Sequence, residues 1–146
     1  TTRPLEVIGH PQFEPWRHLT EIQNLFFKLN LEGFILRPLT FYPMFQKHEN
    51  QTCGGYFIHV TDLQKFKPWR VMQILVKEFK RYLPEYFHYK TEPYEYENTL
   101  NPMDMINGTD RLRAWYATSE DYDFLDKIES EGKKQYLEQR SQIIIY

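Results

Sequence analysis

One cysteine, Cys53, occurs in 146 residues, so no internal disulfide can form and no cysteine-based zinc cluster can be built. The thiol count therefore says nothing about compartment. No apolar run approaches the roughly 18 consecutive residues that mark a transmembrane helix, and the chain does not open on a secretory leader pattern. Membrane insertion is not expected. A surplus of one charge is also missing: 18 basic residues face 20 acidic ones, for a formal net charge of -2, which withholds the electrostatic footprint of a nucleic-acid binder. No internal repeat is visible. The length suits one domain able to bury a core without staples. What the chain does have is rings, since 3 Trp, 11 Tyr and 11 Phe make up 17% of it. Such rings fill cores, and some of the tyrosines could instead line a groove for sugars, which present an apolar face and a rim of hydroxyls.

Residues 1–16 hold three prolines and a glycine and read as extended strand or loop. The polar cluster at Thr1 and Thr2 leads to the expectation that further chain precedes it. Thr20-Glu21-Ile22-Gln23 has the form of a capping box opening a helix, with Ile22, Leu25, Phe26 and Leu29 on one face and Gly33 as its left-handed stop. Phe34 to Phe41 reads as a strand whose Pro38 assigns it to an edge or bulge. A loop from Tyr42 to Gly55 leads to a strand at Tyr56–Thr61, where alternation sends Tyr56, Ile58 and Val60 to one face and Phe57, His59 and Thr61 to a polar one. Lys67 to Leu83 reads as a helix with Trp69, Met72, Val76, Phe79 and Leu83 as its apolar stripe, leaving Lys77, Lys80 and Arg81 on a solvated face. Tyr86 to Asn101 reads as irregular loop with one short strand, Met103 to Ile106 as a helical turn ending at Asn107-Gly108, and Thr109–Tyr116 and Glu120–Arg140 as helices, the latter broken at Gly132. The closing run Ile143-Ile144-Ile145-Tyr146 should dock on the core as a strand or plug. Together these elements predict an α+β fold, a small mixed sheet of few strands packed with several helices.

Three chemistries can be weighed on the residues alone. Five histidines, His10, His18, His48, His59 and His88, are potential metal ligands, but no two have the short helical spacing of a metal motif, so neither a metal site nor a cofactor is expected. Cys53, His59 and Asp62 have the types of a nucleophilic triad. Six positions of extended strand would separate thiol and imidazole by about 20 Å unless Gly54-Gly55 bends sharply, so Cys53 reads better as a small buried residue. Glycosidic chemistry needs two carboxylates, for which Glu6, Asp62 and Asp110 are available. Asp62 and Asp110 also stand at element boundaries where aspartate serves as a cap. Asn50-Gln51-Thr52 and Asn107-Gly108-Thr109 match the glycosylation pattern, a weak signal.

Thr1-Thr2-Arg3-Pro4-Leu5-Glu6 resembles the second half of a Gly-Arg-Gly-Thr-Thr-Arg-Pro-Phe-Glu motif, and His59-Val60-Thr61-Asp62 a His-Val-Thr-Asp motif, of the bacterial exo-β-N-acetylmuramidases, formerly a domain of unknown function. Phe41 to Lys47 with Gln51, Cys53 and Gly55, then Gly108 to Arg113, then Arg140 ahead of Ile144-Ile145-Tyr146, resemble the C-terminal half of that family in the same order. Leu5 stands where the family has Phe, and Met44 where it often has Thr. The resemblance implies that residues 1–146 are the single C-terminal domain of a two-domain glycosidase that removes N-acetylmuramic acid from the non-reducing ends of peptidoglycan fragments, in the periplasm or outside the cell. It further implies a Rossmann-like N-terminal domain supplying the main catalytic carboxylate, so that this chain alone is inactive. Within that picture Thr2, Arg3, Glu6, His59, Thr61 and Asp62 bind substrate. Arg3 is the expected reader of the lactyl carboxylate peculiar to muramic acid, because a guanidinium forks onto carboxylate oxygens. Arg37, Arg70 and Arg81 read as surface charges. The alternatives are a non-catalytic sugar-binding or interaction module and a free-standing Cys/His enzyme.

Overall fold

The computed structural model describes residues 5–118 and 121–144. They form two compact units, Thr1–Lys90 and Thr91–Tyr146. The first unit contains β1 (Val7–His10), α1 (Pro15–Lys28), β2 (Phe34–Phe41), β3 (Cys53–Val60) and α2 (Pro68–Tyr82). Its sheet has the order β1-β3-β2. The α+β expectation holds, with the refinement that both pairings are antiparallel, so the sheet is not mixed. Pro38 lies in β2, an edge strand, where its missing amide costs no ladder bond toward solvent.

Helix α1 starts at Pro15, five residues before the expected capping box, because proline in the first turn fixes φ in the helical range and its absent N–H would be unpaired there anyway. Thr20 and Gln23 thus lie inside the helix, and Ile22 and Phe26 are its buried ridge. Its end is also not where Gly33 suggested. Asn30 takes the left-handed conformation at φ 52°, Asn30 N–H donates to Phe27 O at 3.1 Å, and Leu31 N–H donates to Phe26 O at 3.0 Å. That pair of bonds is a Schellman closure, and buried Leu31 completes it.

Strand β3 begins at Cys53, three residues earlier than expected, and buries everything from Cys53 to Ile58. Gly54 and Gly55 belong to the strand because the chain packs too closely there for any side chain. A Cβ on Gly55 would fall on the Ile8 carbonyl oxygen and 2.8 Å from the Gly9 Cα. Tyr56, fully buried, anchors the covered face: its ring meets Phe13 at 5.4 Å and Phe79 at 6.5 Å, Phe13 stacks on Phe79 at 4.1 Å, and the Tyr56 hydroxyl donates to Pro15 O at 2.8 Å. Each such ring contributes about 1.5–3 kcal/mol by burial.

Helix α2 turns inward a face that shares Phe79 and Leu83 with the expected apolar stripe but departs from the rest of it. Val71, Ile74, Leu75 and Phe79 are buried, whereas Trp69, Met72 and Val76 are half-buried. Lys77, expected in solvent, is only 4% exposed, and Glu78 is 1% exposed. Glu78 accepts from Arg81 Nε at 2.8 Å and Nη2 at 2.6 Å, and that guanidinium also reaches Glu21 at 2.7 Å, so Arg81 is a tie between α1 and α2.

The second unit holds α3 (Pro102–Asn107), α4 (Arg111–Trp115), α5 (Phe124–Ser130) and α6 (Lys133–Ile143). Asn101 caps α3 by accepting from Met103 N–H at 3.0 Å, and Gly108 ends it at φ 67°. The expected cap from Asp110 is replaced: its side chain makes no cap bond, and Thr109 Oγ1 accepts from Arg111 N–H at 3.2 Å. Arg113 instead ties α4 to α3 through a two-bond fork on Asp104, both distances 2.6 Å. Buried Trp115 donates its Nε1–H to Asp121 O and stacks on Phe124. Gly132 breaks the last helix pair as expected, at φ 68°. The docked C-terminal strand is not found: Ile143 closes α6 at 76% exposure, Ile144 is exposed, and Ile145 and Tyr146 lie outside the described residues.

Candidate functional site

His59 is the penultimate residue of the central strand β3, paired with Ile35 of β2. Its Nε2 is buried and has no hydrogen-bond partner among the described residues. Directly beyond it, Thr61 N–H and Asp62 N–H both donate to Gly33 O, at 2.9 and 3.1 Å, and Gly33 takes φ 85° to present that carbonyl. A Cβ on Gly33 would stand 2.7 Å from both Asp62 O and Phe66 N, so only glycine lets the chain turn under the strand end. Asp62 Oδ1 accepts from Gln64 N–H at 2.9 Å, which is the turn-capping role open to it from sequence. Glu6 arrives alongside: its carbonyl accepts from Ile58 N–H at 2.8 Å, extending the β1–β3 pairing to the residue before His59.

Glu6, His59, Thr61 and Asp62 are therefore gathered at one end of the sheet. Thr2 and Arg3 lie outside the described residues. Asp110 belongs to the other unit. Phe57 and His59 share a sheet face as alternation predicted, but that face is not simply polar. Phe57 is 4% exposed, His59 meets it edge-on at 4.0 Å, and the Arg37 guanidinium lies 5.3 Å over its ring. Arg37 is exposed, as expected of a surface charge, and the strand register sets it opposite Phe57.

The opposite sheet end carries a pairing the spacing did not reveal. His10 and His48 meet edge-on at 4.6 Å, with Tyr86 at 5.7 Å from His10. His10 Nδ1 accepts from Gln12 N–H at 3.1 Å, so the neutral ring carries its proton on Nε2. Burial, then His48 and Lys47, hold His10 below the ordinary imidazole range, and burial and Lys47 do the same to His48. Gln46, His48 and Asn50 are all left-handed, at φ 63°, 61° and 58°, an unusual concentration of backbone strain for one loop. Among the described residues no group of three or more His, Cys, Asp or Glu is arranged to hold a metal ion.

Cys53 is fully buried at the far end of β3 from His59, and burial pushes its thiol up. The strand continues unbroken through Gly54-Gly55 to Val60, paired along its whole length with β2, so sulfur and imidazole stand at opposite ends of it. The arrangement supplies no activated thiol.

The chain is 33% identical over 89 residues to the peptidoglycan beta-N-acetylmuramidase NamZ of Bacillus subtilis (strain 168), an overlap covering 61% of this chain and 20% of that protein. In structure it matches a DUF1343 family protein from Bacteroides fragilis with a TM-score of 0.72 at 13% identity, covering 97% of this chain and 35% of that one. The chain thus spans about a fifth of the curated relative and about a third of the solved structure. The family model for the C-terminal part of exo-beta-N-acetylmuramidase NamZ matches residues 1–146, across both compact units, and the chain belongs to that family.

Proposed function

We propose that this chain is the substrate-side, C-terminal half of a peptidoglycan glycosidase that releases N-acetylmuramic acid from non-reducing ends, working with a Rossmann-like N-terminal domain that brings the main catalytic carboxylate. The observation that carries this reading is the buried, unpartnered Nε2 of His59 in a chain of the exo-muramidase family. Leaving a buried polar atom unpaired costs about 1–3 kcal/mol, which a binding site can tolerate because the ligand supplies the missing bond. In the proposed site His59 bonds to a sugar oxygen, Thr61 and Asp62 frame it from the turn fixed by Gly33, and Glu6 lines the adjoining strand. Arg3 takes the lactyl carboxylate, and Thr2 contributes a hydroxyl beside it. The natural setting of such a protein is the periplasm or the cell exterior, where its fragments arise.

A chromogenic N-acetylmuramic acid glycoside, offered to this chain and to the two-domain protein, tests the division of labour. Turnover by the two-domain protein alone is expected, with His59→Phe raising KM about tenfold, the loss of one hydrogen bond of roughly 1.4 kcal/mol. Turnover by the isolated chain would overturn the proposed split. Binding without turnover in the two-domain protein would make the chain a non-catalytic sugar-binding module.

A further inference from the structure

The arginines of the regular elements mostly have carboxylate partners. Arg81 bonds Glu78 and Glu21, Arg113 forks onto Asp104, Arg111 meets Glu131 at 2.6 Å, and Arg17 approaches Glu14 at 3.7 Å. Arg37 differs. It is exposed on the edge strand, and among the described residues its guanidinium has no carboxylate partner and lies over the Phe57 ring. Register sets Arg37 opposite Phe57, and alternation sets His59 on the same sheet face two residues further along β3. A guanidinium without a carboxylate and an imidazole without a partner for its buried nitrogen thus flank one phenyl ring. The two groups stand within about 9 Å of one another, inside the reach of a single hexosamine.

A guanidinium resting over an aromatic face is held there by cation–π attraction and can still offer N–H donors to a carboxylate. We propose that Arg37 is a specificity-determining residue that reads the carboxylate of an acidic amino sugar, while His59 Nε2 bonds to a neighbouring oxygen of the same ring. Phe57 is the shared support of both. This assignment rests on the function proposed above and adds a second guanidinium to the one proposed for Arg3.

The test compares N-acetylmuramic acid with N-acetylglucosamine, which lacks the lactyl group, by calorimetric titration of the two-domain protein. Wild type should prefer the acidic sugar. Arg37→Ala should lower the ratio of the two affinities by about tenfold to a hundredfold, the range for a charge-assisted hydrogen bond, and Arg37→Lys should restore part of it. The Lys variant keeps the stem packed on Phe57, so it reports on recognition even if the Ala variant is poorly folded. A preference that survives both substitutions overturns the inference and leaves the proposed function standing. Equal weakening of both sugars also overturns it, because it shows that Arg37 only supports Phe57. A wild-type protein indifferent to the two sugars overturns the proposed function and this inference with it.

Discussion

Replacing Gly55 with alanine is the sharpest test of how the sheet presents its polar end. The added Cβ would stand far inside van der Waals contact of the Ile8 carbonyl oxygen and 2.8 Å from the Gly9 Cα, both of them backbone. No rotamer change can relieve that overlap, so β1 must slide off β3 by about 1 Å, enough to stretch ladder bonds past the usual 3.2 Å limit. The bond from Ile58 N–H to Glu6 O, at 2.8 Å, lies at the end of the displaced strand. Overpacking typically costs about 1–3 kcal/mol, and each disrupted ladder bond adds about 1 kcal/mol, so a loss of about 3 kcal/mol or more is expected. For a unit of this size that is a fall in Tm of about 12 °C or more. Melting followed by circular dichroism measures it, and exchange of the β1 amides locates it. A Gly55→Ala protein melting within about 2 °C of wild type would refute the claim that close backbone approach dictates glycine here.

Two further outcomes follow from half-buried histidines and a buried thiol. His10, His18 and His48 are each held below the ordinary imidazole value, chiefly by burial, so the unfolded chain binds more protons than the folded one just under pH 6.5. Stability should be full above about pH 6.5 and fall as the pH drops through that value toward the lower folded ones; melting curves between pH 7.5 and 5 that superimpose would contradict the assignment, and the double variant His10→Gln, His48→Gln should flatten the slope. Cys53, fully buried and with its thiol pushed up, should alkylate slowly in the native protein and rapidly in denaturant. Equal rates in the two conditions, followed by mass spectrometry with iodoacetamide, would reopen the thiol chemistry that the strand geometry argues against.

Local signals read well where one residue does one job. Phe34 to Phe41 was legible as an edge strand because Pro38 permits little else, and the breaks at Gly108 and Gly132 were legible because left-handed backbone is what glycine does most cheaply. Glycine misled where its job was long-range. Gly54 and Gly55 carry the same local signal as a turn, and only the close approach of Phe13 and Pro15 to the first and of Ile8 and Gly9 to the second shows why glycine stands in the strand. Gly33 looked like a helix stop, yet Asn30 does that work, and Gly33 supports the turn at Thr61 and Asp62. Lys77 could not be recognised as buried from an apolar stripe, since burial there depends on which face of α2 the core selects. The motif His59 to Asp62 was visible because its members are contiguous. The link from Arg37 through Phe57 to His59 was not, because it exists only once β2 and β3 are in register.

The placement of His59 connects these points. A buried nitrogen without a partner works against folding by about 1–3 kcal/mol, a large share of the roughly 5–15 kcal/mol that holds a domain together. Sequence repair would be simple, since an apolar residue at 59 would extend the buried run of Cys53 to Ile58 by one. Instead the imidazole stands against Phe57, at the strand end where Gly33 fixes the turn. Strand pairing on both sides of β3 holds the backbone that carries His59, and a preformed support is what a site needs if binding energy is not to be lost in ordering it. On this reasoning His59→Phe should raise Tm while weakening sugar binding, an opposition that a purely structural histidine would not produce.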